Sequence, residues 1–149
     1  MADQDTISTS TGYWITRIAR SMERDFETRL KPLGITRAAF AVLSAVQHEK
    51  KTTPAELAAY LGVDGAAVTR HLDRVEKLGL IERRPSATDR RSTDIKLTKE
   101  GRRAVRRGHA GSRATNKKFT ADLSRADVEQ LHCLIQTMLS RSDAALADL

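Results

Sequence analysis

Thr69, Arg70, Arg74 and Lys77 fall on one side of a single helical stretch. At about 100° per residue they share that side with Ala66 and Asp73, opposite Val68, Leu72 and Val75. These residue types suit the reading of a polyanion. The Arg70 guanidinium can donate two hydrogen bonds to guanine O6 and N7. Arg74 and Lys77 come later, where backbone phosphates would lie. Gly65, Ala66 and Ala67 keep the leading end slim enough for a major groove. Taken alone, the same pattern also describes an ordinary solvated helix face.

A second basic group follows. Residues 85–92 are turn-rich and carry Asp89, Arg90 and Arg91 between two strand candidates, 80–84 and 93–97. Arginines at a loop tip can enter a minor groove, where the potential is negative. The expected roles are Arg91 in the groove, Arg90 on a phosphate, and Asp89 pairing with Arg91 to hold the loop in shape.

The elements that must position these residues are legible upstream. Thr53-Pro54-Ala55-Glu56 is a capping box with proline at the first helical position. Leu57, Ala58 and Leu61 give a short apolar face. Gly62 ends that helix, and Asp64 caps the next, expected over 64–78. Helix, tight turn, helix, strand, charged loop and strand, in that order, describe a helix-turn-helix with a β-hairpin wing. A hairpin directly after two such helices weighs against the solvated-face reading.

Asp89-Arg90-Arg91 is followed by the ending Ile95-Lys96-Leu97-Thr98-Lys99-Glu100-Gly101. On that signature the chain resembles the MarR/SlyA family of winged-helix regulators. The resemblance is carried too by Val68-Thr69-Arg70-His71-Leu72-Asp73, continued as Glu76-Lys77-Leu78-Gly79-Leu80-Ile81. Arg29-Leu30-Lys31-Pro32-Leu33 and Ile35-Thr36 resemble the family's junction between its first two helices. The match spans roughly residues 13–101. It implies a mainly α fold with a small β-hairpin wing, in one unit over 1–149. Residues 36–97 form the winged helix-turn-helix, and 13–33 and 99–149 supply dimerisation helices. It also implies a pocket for small anions, often aromatic carboxylates, between the dimerisation helices and the winged helix. Arg17, Thr36 and Phe40 fall at positions that can line it.

The residues near Arg17 add to that. Tyr13 and Trp14 lie beside it, and a guanidinium over aromatic rings suits a benzoate-like anion. The competing expectation pairs Arg17 and Arg20 with Glu23, Asp25 or Glu27 as surface charges. His109 and Arg113, four apart, can face the same pocket or solvent. His71 sits at the edge of a buried helix face and is expected to pack there.

Composition narrows the classes. The 149 residues give a formal net charge of +7, and the pI near 10.0 favours a polyanionic partner. Residues 101–121 carry seven basic and no acidic residues, equal to that excess. One cysteine, Cys133, excludes an intramolecular disulfide, and no Cys/His cluster has metal-ligand spacing. Cys133 lies about 200° round the helix from Leu131, without a resolving partner. Acid, base and nucleophile candidates do not converge, so no catalytic residue, metal or other cofactor is expected. No apolar run spans a bilayer and no signal-peptide core is present, so a cytoplasmic protein without a membrane partner is expected.

The flanks complete the expectations. Residues 1–12 are polar and expected to be mobile. Trp14, Ile18, Met22, Phe26 and Leu30, with Ile15 and Ala19, form one stripe on a helix over 13–30. Pro32 and Gly34 end it, and Thr36 caps a second helix to about Gln47. Thr52 can pair briefly with the wing. Thr98 caps a helix over 99–120 that Gly108 and Gly111 should leave bent or weak and held by packing. Ser124 caps the last, with Asp127 a poor capping acid. Its broad stripe around Leu131, from Val128 through Leu134, Ile135, Met138 and Leu139 to Leu149, points to pairing with another chain. The leading expectation is a homodimeric repressor on a pseudo-palindrome of duplex DNA, released by a small effector, with an aromatic acid suspected. The alternative is an architectural, nucleoid-type DNA binder without a ligand.

Overall fold

The computed structural model describes residues 7–86 and 93–141. In chain order these form α1 (Thr11–Leu30), α2 (Arg37–His48), α3 (Pro54–Leu61), α4 (Gly65–Lys77), β1 (Ile81–Pro85), β2 (Thr93–Leu97), α5 (Lys99–Phe119) and α6 (Arg125–Leu139). Short 3-10 turns at Ile7–Thr9 and Lys31–Leu33 flank α1. The helix therefore starts two residues before Tyr13, and order reaches into the polar leader.

Local chemistry sets the boundaries. Thr53 accepts from the Glu56 N–H while Glu56 accepts from the Thr53 N–H, and Pro54 opens α3. The Thr53 hydroxyl and two backbone N–H groups hold the Glu56 carboxyl below its ordinary value. Gly62 closes α3 with φ of 62°, the left-handed region that a side chain resists. Asp64 Oδ1 accepts from the Ala67 N–H at 2.7 Å. Thr36 caps α2 through the Ala39 N–H. At α6 the sequence expectation fails: both arms of the capping box are made. Asp127 Oδ2 accepts from the Ser124 N–H at 3.0 Å, so the shorter acid spans the distance, and the Ser124 hydroxyl donates to the same oxygen at 2.6 Å.

The core sits around α2. Ala39, Phe40, Val42, Leu43, Ala45 and Val46 are all buried there, and Leu57, Val68, Leu72, Val75, Ile81, Ile95 and Val105 close over them. β1 and β2 pair antiparallel, with Ile81 opposite Leu97 and Pro85 opposite Thr93. The Ile95 N–H also donates to the Thr52 carbonyl at 2.7 Å, the brief third pairing. Thr98 ties the end of α4 to the start of α5. Its hydroxyl donates to the Gly79 carbonyl and accepts from the Gly101 N–H.

Helix α5 is held by packing, as its glycines led one to expect. It is one uninterrupted helix, and two of its glycines are points of close approach. A Cβ on Gly108 would overlap the Phe40 ring, and one on Gly101 would overlap the Leu80 carbonyl oxygen. The absent side chains let α5 pack against α2 and the base of the wing. Polar contacts add to this at α1. Asp25 accepts from Lys118 at 2.6 Å, Thr115 at 2.7 Å and Arg29 at 2.7 Å. These three hold the Asp25 carboxyl far below the usual carboxylate range, Lys118 contributing most.

Candidate DNA interface and effector cleft

Helix α4 turns Val68, Leu72 and Val75 into the core and leaves Ala66, Thr69, Arg70, Asp73, Arg74 and Lys77 exposed. Arg70, Asp73, Arg74, Lys77 and Leu78 border a shallow groove of about 400 Å³. Among the described residues, Arg70, Arg74 and Lys77 enter no ion pair. The Thr69 hydroxyl donates to the Gly65 carbonyl at 2.8 Å, which leaves its lone pairs outward. His71 is half-buried. On the wing, Arg84 holds Glu82 at 2.7 Å and Arg83 reaches back to α4. Asp89, Arg90 and Arg91 lie outside the described residues.

The expected effector residues fall into three places. Arg17 donates to the Tyr13 hydroxyl at 3.0 Å and stacks over the Tyr13 and Trp14 rings at 5.5 and 5.8 Å. It does not take the alternative acidic partners: Glu23 pairs with Arg37, and Asp25 with Arg29 and Lys118. Thr36 is used as a cap and borders a cleft with Glu27, Lys31 and Arg74. Phe40 is buried and packs edge-on against Phe26 and His109. Within one chain, Arg17 therefore stands apart from Phe40. Arg17 and Phe26 are nine residues apart on α1, roughly 13 Å of rise.

His109 and Arg113 do share a cleft. Gln47, His48, Arg106, His109 and Arg113 line a space of about 480 Å³ between α2 and α5. The His48 and His109 rings meet edge-to-face at 4.9 Å, and His109 Nε2 lies 3.3 Å from Ser44 Oγ. Burial, then His48, then Arg113 push the His109 imidazole below its ordinary value, so it favours the neutral form. Gln47 Oε1 is buried and accepts no hydrogen bond among the described residues. Sequence reasoning missed Gln47, His48 and Arg106. The signal for Arg106 was present, since 106, 109 and 113 share one helix face. Nothing local could have placed His48 against His109.

A MarR family profile matches residues 33–92. The multiple antibiotic resistance protein MarR of Salmonella typhimurium is 33% identical over 129 residues, 86% of this chain and 90% of that protein. The chain belongs to the MarR family. The Escherichia coli K12 MarR protein matches at the same identity and coverage. A cysteine-to-serine mutant of E. coli MarR complexed with operator DNA superposes with a TM-score of 0.76 at 32% identity, over 86% of this MarR-family chain and 92% of that one. CouR from Rhodococcus jostii RHA1, bound to p-coumaroyl-CoA, shares the fold with a TM-score of 0.76 at 21% identity, over 95% and 99%. The family is one of transcriptional regulators, and the mainly α, winged-helix fold is the expected one. Among the described residues, no helix is long and apolar enough to cross a membrane.

Proposed function

We propose that this chain is a homodimeric transcriptional repressor that binds operator DNA and releases it when a small anion binds. The carrying observation is the outward face of α4, with Thr69, Arg70, Arg74 and Lys77 exposed beside a hairpin. The E. coli MarR complex with operator DNA supports the reading. On this reading residues 36–97 act as the DNA-binding unit, Ala66 keeps the tip of α4 narrow, and Asp89, Arg90 and Arg91 would serve the minor groove. Residues 13–33 and 99–149 supply the dimer contacts. Exposed Trp14, Ile15 and Ile18 on α1 and Leu131, Leu134 and Ile135 on α6 are the surfaces that pair. Two recognition helices then meet successive major grooves about 34 Å apart.

The effector reading rests on the cleft between α2 and α5. Its anion sits on Arg106 and Arg113, and its ring lies against the His48 and His109 imidazoles. CouR with p-coumaroyl-CoA is the related case of a bound small molecule. Tyr13, Trp14 and Arg17 form a second, exposed candidate, with Thr36 at the junction. The effector lowers DNA affinity only by binding the two helix spacings unequally, and DNA must weaken the effector by the same factor.

Fluorescence anisotropy on DNA flanking the chain's own coding region tests this, with and without aromatic acids and their amides. Acids should release DNA and amides should not. Arg113→Ala should abolish release, whereas Arg17→Ala should not. The reverse result places the anion on Arg17. Binding that responds to salt alone supports the architectural alternative. Arg70→Ala should cost about 1–3 kcal/mol on a preferred duplex and relax preference. Lys77→Ala should weaken all duplexes alike and flatten the salt slope by about one unit per protomer.

A further inference from the structure

Arg83 lies on β1, yet its side chain belongs to α4. Its Nη2 donates to Asp73 Oδ1 at 2.6 Å. Its Nε is buried and makes no hydrogen bond among the described residues, with Glu76 Oε2 the ion-pair partner at 3.5 Å. The side chain is 26% exposed, against 61% for Arg84 beside it. Among the described residues, Arg84 pairs with Glu82, two residues away on the same strand, and has no ion pair to α4.

Asp73 and Glu76 are three apart and so occupy neighbouring positions on one side of α4. One planar guanidinium can address both carboxylates; an ammonium cannot present two fixed donors in that way. Among the described residues, the backbone hydrogen bonds between α4 and the hairpin sit at its base. The Gly79 and Leu80 N–H groups donate to the Glu76 and Val75 carbonyls at 2.8 and 2.9 Å. Leu80, Ile81 and Ile95 seat the apolar side of the hairpin in the core, and the Ile95 N–H donates to the Thr52 carbonyl at 2.7 Å. Arg83 acts two residues further along the strand. It adds a charged tie to α4 on the polar side of the hairpin, and so helps set the direction in which the strands leave α4.

We propose that Arg83 is a positioning residue for DNA recognition: by bridging Asp73 and Glu76 it fixes the angle between wing and recognition helix, and thereby sequence selectivity, without touching DNA. This rests on the DNA-binding reading above. It opposes what charge alone would do. Neutralising Asp73 and Glu76 removes two negative charges per protomer, so electrostatics alone tightens every duplex equally. Loss of the bridge instead lowers the preference for one sequence over another.

The test uses the full chain and two probes: a duplex enriched from a random library by the wild type, and random duplex of equal length. Affinities are read by anisotropy at fixed salt, with sedimentation and thermal melting confirming each variant folded. Arg83→Met should lower the enriched-to-random ratio about tenfold. Arg83→Lys keeps the charge and should restore less than half of that loss on a logarithmic scale. Asp73→Asn with Glu76→Gln should lower the ratio although the chain becomes more basic. Adding Arg83→Met to that pair should cost nothing further, as groups acting through one contact are not additive. Equal tightening on both duplexes by the pair, or equal weakening by Arg83→Met, overturns the assignment of Arg83 alone. A wild type that enriches no duplex overturns the DNA-binding reading, and the role of Arg83 with it.

Discussion

Helix α4 holds Val68, Leu72 and Val75 at no more than 1% exposure, whereas α6 leaves Leu131, Leu134, Ile135, Met138 and Leu139 between 40% and 56% exposed. Both helices carry an apolar face at helical spacing, and both start from a side-chain cap. The difference is what each face meets. Helix α4 is covered by α2, α3 and the wing of its own chain. Helix α6 buries no residue within the chain, and the N-terminal half of α1 shares that condition through Trp14, Ile15 and Ile18. An apolar stripe thus records that a face needs covering, and the rest of the fold decides whether the same chain can cover it.

The largest expected effect comes from α6. Leu131→Asp together with Leu134→Asp should abolish the dimer, because two charges per protomer would enter the pairing surface. Sedimentation at micromolar concentration reads this directly. A monodisperse wild-type monomer would break the comparison, since α6 would then be exposed by design. Next comes Leu72→Ala, which should cost about 2–5 kcal/mol in denaturant melts while leaving the dimer surface intact. If it dissociates the dimer first, the two regions are one cooperative unit.

A smaller effect sharpens the same contrast inside α5. Gly108→Ala should destabilise by about 1–3 kcal/mol because the new methyl meets the Phe40 ring, despite the gain in helix propensity. At Gly111 the nearest atom to a new Cβ is Arg29 Cβ at 3.3 Å, so Gly111→Ala should be close to neutral. Equal effects at both positions would refute close approach as the reason for Gly108.

The smallest effect is a pH dependence at the cleft. The His109 imidazole is held below its ordinary 6.5, first by burial and then by His48 and Arg113. The unfolded chain therefore binds more protons than the folded one between that lowered value and 6.5. Stability is fully present above about pH 6.5 and declines as pH falls through the window beneath it. Thermal midpoints measured downward from pH 7.5 should show that decline, and His109→Gln should flatten it. An unaltered profile in the variant would assign the dependence to another group.

Helix limits and the order of elements were legible in the sequence because each depends on neighbours within about four residues. Thr53, Asp64, Thr98 and Ser124 cap the residues that follow them, and Gly34 and Gly62 end helices where the backbone turns left-handed. The exposed face of α4 was legible for the same reason, since helical spacing alone puts Arg70 opposite Leu72. That α5 would be held by packing followed from local propensity too, but its partners, Phe40 and the Leu80 carbonyl, lie far away in the chain.

Tertiary structure decided what lies across long chain separations. It put Ser44 against His109, 65 positions away, and Asp25 against Lys118, 93 positions away. It parted Arg17 from Phe40, gathered Gln47, His48 and Arg106 around His109 and Arg113, and turned Arg83 from the wing onto α4. The sequence by itself determined which faces are apolar, which ends are capped and which helix offers cations to a polyanion. It could not determine which faces meet, because a side-chain contact depends on how whole helices pack, and that packing is settled by all the buried residues together.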